Sequence, residues 1–173
     1  MKIIFSKKEV LHFARLRDDG MKPEYLTLEA DLIERMPKAL ARGFLTLEDL
    51  TAVTKWKWKG SRPTDLANLN TREEIEEVTR FAFKSSSERI RIMSLLILNG
   101  VGWPMASVIL HFAFGDRYPI LDRRAMKTVR GTAKTTSYNF DLWNEYSRLC
   151  ERKIYQYKIS MRELDKALWY AGG

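Results

Sequence analysis

The chain has 173 residues, 45% of them hydrophobic, with 30 lysines and arginines against 22 aspartates and glutamates, a formal net charge of +8. That length supports one ordinary domain or two small packed lobes. The single cysteine, Cys150, excludes an internal disulfide and any four-cysteine cluster. The charge excess favours a polyanionic partner, nucleic acid before membrane. No apolar run approaches the roughly 20 residues that span a bilayer, and the opening MKIIFSKKEV has too short an apolar run for a signal sequence. A reducing, cytoplasmic location is therefore expected.

Helix punctuation recurs along the chain. Ser6 and Glu9 have capping-box spacing ahead of the apolar face Val10, Leu11, Phe13 and Ala14. Thr27 opens a helix in which Leu28, Leu32, Ile33, Met36, Leu40 and Ala41 recur at helical spacing, with a kink expected at Pro37. Thr46 begins a third helix running toward Trp58, and KWKWKGSRPTD reads as a loop broken by Gly60 and Pro63. The next helix starts near Asn70 or Thr71 and ends near Ser85, after which ERIRIMSLLIL continues to a glycine turn. Pro104 opens a helix that Gly115 stops. Further helices begin at Asp122, near Asp141 and at Ser160, the last with a second capping box. With no convincing alternating strand, the expectation is an all-α multi-helix bundle. It would form a single helical domain over 1–173, divisible into two packed lobes at about 1–85 and 86–173 with a cleft between them.

The turn itself, Asn99-Gly100-Val101-Gly102, interrupts the most hydrophobic stretch, LNGVGWPMASVIL. Two glycines permit positive φ and close backbone approach, so two helices can join through a short hairpin. The second helix then begins with outward-pointing N–H groups beside residues without side chains, an arrangement suited to one phosphate. A tight helix-to-helix turn with no ligand is the alternative reading.

LNGVGWPMASVIL resembles the helix-hairpin-helix motif: a hydrophobic residue, a spacer, Gly-hydrophobic-Gly, three residues and Ala. The sequel, FGDRYPILDRRAMKTV, is similar to the segment that follows the hairpin in helix-hairpin-helix DNA glycosylases, the superfamily of endonuclease III and the adenine-mismatch and alkyladenine glycosylases. The likeness covers about residues 92 to 127. It implies that Gly100, Val101 and Gly102 bind a DNA phosphate and that Asp122 is the catalytic aspartate of a base-excising hydrolase. The partner it implies is duplex DNA with a flipped base. Bifunctional members carry a lysine nucleophile two residues after the second hairpin glycine, where this chain has Trp103-Pro104, so a lyase step through that position is not expected. The endonuclease III iron–sulfur cluster lacks its cysteines here, and the glutamate-plus-glutamine motif of the adenine-mismatch enzymes is missing. The resemblance therefore implies a monofunctional enzyme with no metal and no cofactor, or else a DNA-binding module of the same fold without catalysis.

Cleaving an N-glycosidic bond builds positive charge on the sugar, which a fixed carboxylate at Asp122 would stabilise while orienting water. An aspartate before a helix also serves as an N-cap, and the two roles are compatible. Arg123 and Arg124 stand where relatives more often have small or neutral residues. Lys55, Trp56, Lys57, Trp58, Lys59 and Arg62 interleave cations with indoles, as a surface that stacks bases and binds phosphates would. The same tryptophans could instead pack a helix end under solvated lysines. Trp103 and Tyr118 could face a cleft or pack, whereas His111 and Cys150 read as core residues.

Overall fold

The folding of the chain follows from where its apolar faces find partners. In a computed structural model, residues 1–58, 60–131 and 137–173 are described, and Lys59, expected at the basic surface, lies outside them. Among the described residues the structure is all-helical, with ten α-helices and one short 3₁₀ turn. None is long and apolar enough to cross a membrane.

The chain divides into two units. The first comprises residues 1–22 and 116–173, the second residues 23–115. The boundary expected near residue 85 falls instead inside the second unit, because the helices on either side of Ser85–Ser87 pack on each other. The N-terminal helix, for its part, pairs with the C-terminal one.

The first unit holds α1 (Lys7–Asp19), α8 (Arg123–Arg130), α9 (Phe140–Tyr157) and α10 (Met161–Ala171). Helix α10 packs against all three others. Its buried face, Met161, Leu164, Ala167 and Leu168, has the 3–4 residue spacing of a core stripe. Each fully buried side chain of Leu size contributes about 1.5–3 kcal/mol. Both expected capping boxes form, Ser6 with Glu9 and Ser160 with Glu163.

The second unit holds α2 (Pro23–Arg42), α3 (Leu47–Lys57), α4 (Arg62–Ala67), α5 (Arg72–Lys84), α6 (Glu88–Leu95) and α7 (Trp103–Phe114). Helix α2 begins before Thr27, at Pro23, and runs unbroken through Pro37, which lies on its exposed side. Its core face is Leu32, Met36 and Ala39, while Ile33 is exposed and Leu40 half-buried. The stretch read as a loop contains α4, because Pro63 sits at a helix start, where its missing amide costs nothing. Helix α7 is buried along Met105–Ala113 and packs against α2, α3 and α6. A helix apolar on all sides belongs in an interior, and α7 is the hub on which the glycine turn is mounted.

Candidate functional site

In the second unit, α6 ends at Leu95 and a series of turns leads through Gly100 to α7. Gly100 has φ 81°, a left-handed conformation that residues with a Cβ rarely adopt. The turn also lies hard against α4: a Cβ at Gly100 would stand 3.2 Å from Ala67 N, Leu66 Cβ and Pro63 O. Gly102 differs, with extended backbone at φ −90°. A Cβ there would find only the Pro104 ring within 4 Å, at 3.9 Å. Pro104 occupies the second position of α7, after Trp103, one place later than expected.

A buried side chain secures this turn. Asn70 donates from Nδ2 to the carbonyls of Ala67 at 2.8 Å and Asn99 at 3.0 Å. Its Oδ1 accepts from Asn99 N at 2.8 Å and from Asn99 Nδ2 at 3.3 Å. A single amide side chain thus behaves as an extra peptide group bracing the hairpin. Within the turn the Val101 N–H donates to Leu98 O at 3.1 Å, and its side chain is buried, so the phosphate grip expected of that amide is turned inward. Among the described residues, the N–H groups of Gly100 and Gly102 have no acceptor. Gly102 is exposed and Gly100 half-buried.

The basic-aromatic stretch separates into core and surface. Trp56 is buried, its ring meeting Phe112 edge-on at 5.0 Å, so it is a packing residue and not a base contact. Its period places it on the inner face of α3 beside Val53. Trp58, just past the helix end, is 47% exposed, and Lys55 and Arg62 are exposed as well. Lys57 is half-buried. Trp103 is half-buried at the head of α7, and His111 is in the core with its ring edge-on to Phe112 at 5.0 Å.

In the first unit, Asp122 caps α8: its Oδ1 accepts from Arg124 N at 2.8 Å, and the residue is half-exposed. The carboxylate is therefore fixed by the backbone it precedes. Arg123 and Arg124 are exposed, and the Arg124 guanidinium lies 4.1 Å from the Trp169 ring centre. The approach to Asp122 is buried: Tyr118 stacks on Trp143 at 5.7 Å, and Pro119, Ile120 and Leu121 are interior.

Three participants here had no sequence signal. Tyr138 neighbours Asp122: burial, and then the Asp122 charge, hold its phenol above the ordinary range, while Arg123 pulls it the other way. Asp165 accepts from Ile120 N–H, and Asp116 accepts from Met161 N–H at 2.7 Å. Tyr138 and Asp165 reach Asp122's segment, and Asp116 reaches from it to Met161, through tertiary contacts that spacing along the chain does not encode. Cys150 is buried as expected. Its thiol is held well above the ordinary range, chiefly by burial and then by the Asp165 charge, against a smaller opposite pull from Tyr146.

No family model, no curated protein and no solved structure matches this chain.

Proposed function

We propose that the chain is a monofunctional DNA glycosylase of the helix-hairpin-helix kind, hydrolysing the bond between a flipped, modified or mismatched base and its sugar. The observation that carries this reading is Asp122: a half-exposed carboxylate, pinned at one oxygen by Arg124 N–H, follows a glycine turn of the matching pattern. In this reading the N–H groups of Gly100 and Gly102 hold a backbone phosphate. Exposed Trp58, Lys55 and Arg62 supply stacking and charge. As the base departs with the bond's electron pair, Asp122 stabilises the cationic sugar. It then accepts a proton from the water whose oxygen bonds to the anomeric carbon, and the departing base is protonated from solvent.

The test is incubation of the protein with duplexes carrying a panel of modified or mismatched bases, followed by alkaline cleavage of abasic sites, alongside Asp122→Asn. Base release from at least one duplex is expected, falling on the order of 100-fold or more in the variant. Salt-sensitive DNA binding without release from any duplex would instead support a non-catalytic binding module. Absence of DNA binding would overturn both.

A further inference from the structure

We propose that Asp165 is a positioning residue for Asp122, a role that rests on the glycosylase reading for its catalytic consequence but not for its structural one. Asp165 is only 4% exposed, and both carboxylate oxygens lie 3.1 Å from the Ile120 amide nitrogen. Ile120 is two residues before Asp122, within the buried run Tyr118–Leu121. Taking a carboxylate out of water is costly and calls for strong compensating hydrogen bonds. What the charge adds is a stronger hold on that N–H, roughly twice a neutral hydrogen bond.

The hold is one of several from the same helix. Asp116, at the start of the segment, accepts from the first amide of α10. Beyond Asp122, Thr128 Oγ1 donates to Leu168 O at 2.8 Å. At its end α10 comes so close to α8 that a Cβ on Gly172 would meet Arg124 O at 2.1 Å. Helix α10 therefore braces the segment before Asp122 and the helical turn after it, and that turn supplies the N–H that fixes the carboxylate. Asp165 is the buried charge at the centre of this brace. Its field is felt by Tyr146 and Cys150, where it adds to the larger effect of burial.

The test compares the full chain with Asp165→Asn, which keeps the volume and one acceptor, and with Asp165→Ala. Amide hydrogen exchange read by NMR reports position independently of catalysis. In Asp165→Asn, exchange at Ile120 and Arg124 should accelerate about tenfold or more, with protection in α9 and in the second unit unchanged. Single-turnover base release should fall on the order of 100-fold while duplex affinity stays within about threefold, and Asp165→Ala should exceed Asp165→Asn in both effects. Unchanged exchange at Arg124, or equal loss of protection throughout the chain, overturns the proposal. Faster exchange at Arg124 in a chain that releases no base from any duplex upholds the positioning role while removing the enzymatic reading.

Discussion

The glycine turn and the segment leading to Asp122 present opposite solutions to holding a short stretch of irregular backbone. The turn is shaped from within, by the left-handed Gly100, and braced by one neutral amide side chain, Asn70. The Asp122 segment is braced by carboxylates, Asp116 and Asp165, whose partners lie 45 residues away. Backbone conformation is a local property written in residue type, whereas a charged brace is a tertiary one. The turn should therefore be sensitive to substitution at its own glycine, and the Asp122 segment to substitution of a carboxylate distant in the chain.

The largest effect is expected at Gly100. Gly100→Ala adds about 1–2 kcal/mol for a Cβ at positive φ and about 1–3 kcal/mol for overpacking against α4. A loss of roughly 3 kcal/mol in urea unfolding is expected, against less than about 1 kcal/mol for Gly102→Ala, whose methyl meets only a proline ring. Equal losses at the two glycines would mean that the turn is not seated on α4. Next comes Asn70→Ala, which strands the Asn99 N–H and carbonyl and should cost about 2 kcal/mol; a negligible change in urea midpoint would show that the brace is dispensable.

The first unit should reveal itself through alkali. Burial and then the Asp165 charge raise the folded Cys150 thiol above its unfolded value of about 8.5. Burial, followed by the neighbouring Cys150 and Asp165, does the same for the Tyr146 phenol, whose unfolded value is about 10. The folded chain consequently binds more protons than the unfolded one above about pH 8.5. Stability is complete below that pH and falls as pH rises, by up to about 1.4 kcal/mol per pH unit for each group. Urea midpoints measured across that range, with Cys150→Ala flattening the first part of the decline, check it; a flat profile in the parent chain would contradict the buried thiol. The smallest change in stability, within about 0.5 kcal/mol, is expected for exposed Trp58→Ala. The same substitution should weaken single-stranded DNA binding by about 1–3 kcal/mol, as fluorescence titration would register.

How much of this could be read from the sequence differs along the same line. The capping boxes at Ser6 and Ser160, the helix start at Thr46, the start near Asn70 or Thr71 (Thr71 in the structure) and the stop at Gly115 were legible because a helix end is chemically local. Asp122 was readable as an N-cap for the same reason. Helix α4 escaped because Pro63 reads equally as a breaker and as a helix opener, and only its packing on α3 decides. Trp56 and Trp58 were indistinguishable as letters; helical phase and the helix end at Lys57 send one inward and leave the other in water. The division into units was hidden altogether, since it depends on α1 joining the distant α10. Asn70, Asp165 and Tyr138 were silent because each acts on a residue far from it in the chain.

The Asn70 brace has an evolutionary consequence. Aspartate at that position lacks the two donors, leucine lacks donors and acceptors alike, and glutamine sets its amide one methylene too far out. Substitution at Asn99 is different: it removes only the 3.3 Å side-chain bond, while the two bonds through the Asn99 backbone remain for any residue placed there. Positions 70 and 100 thus hold the identity of the turn, one by its side chain and one by its lack of one, while position 99, 29 residues from Asn70, is held through backbone atoms that every residue has.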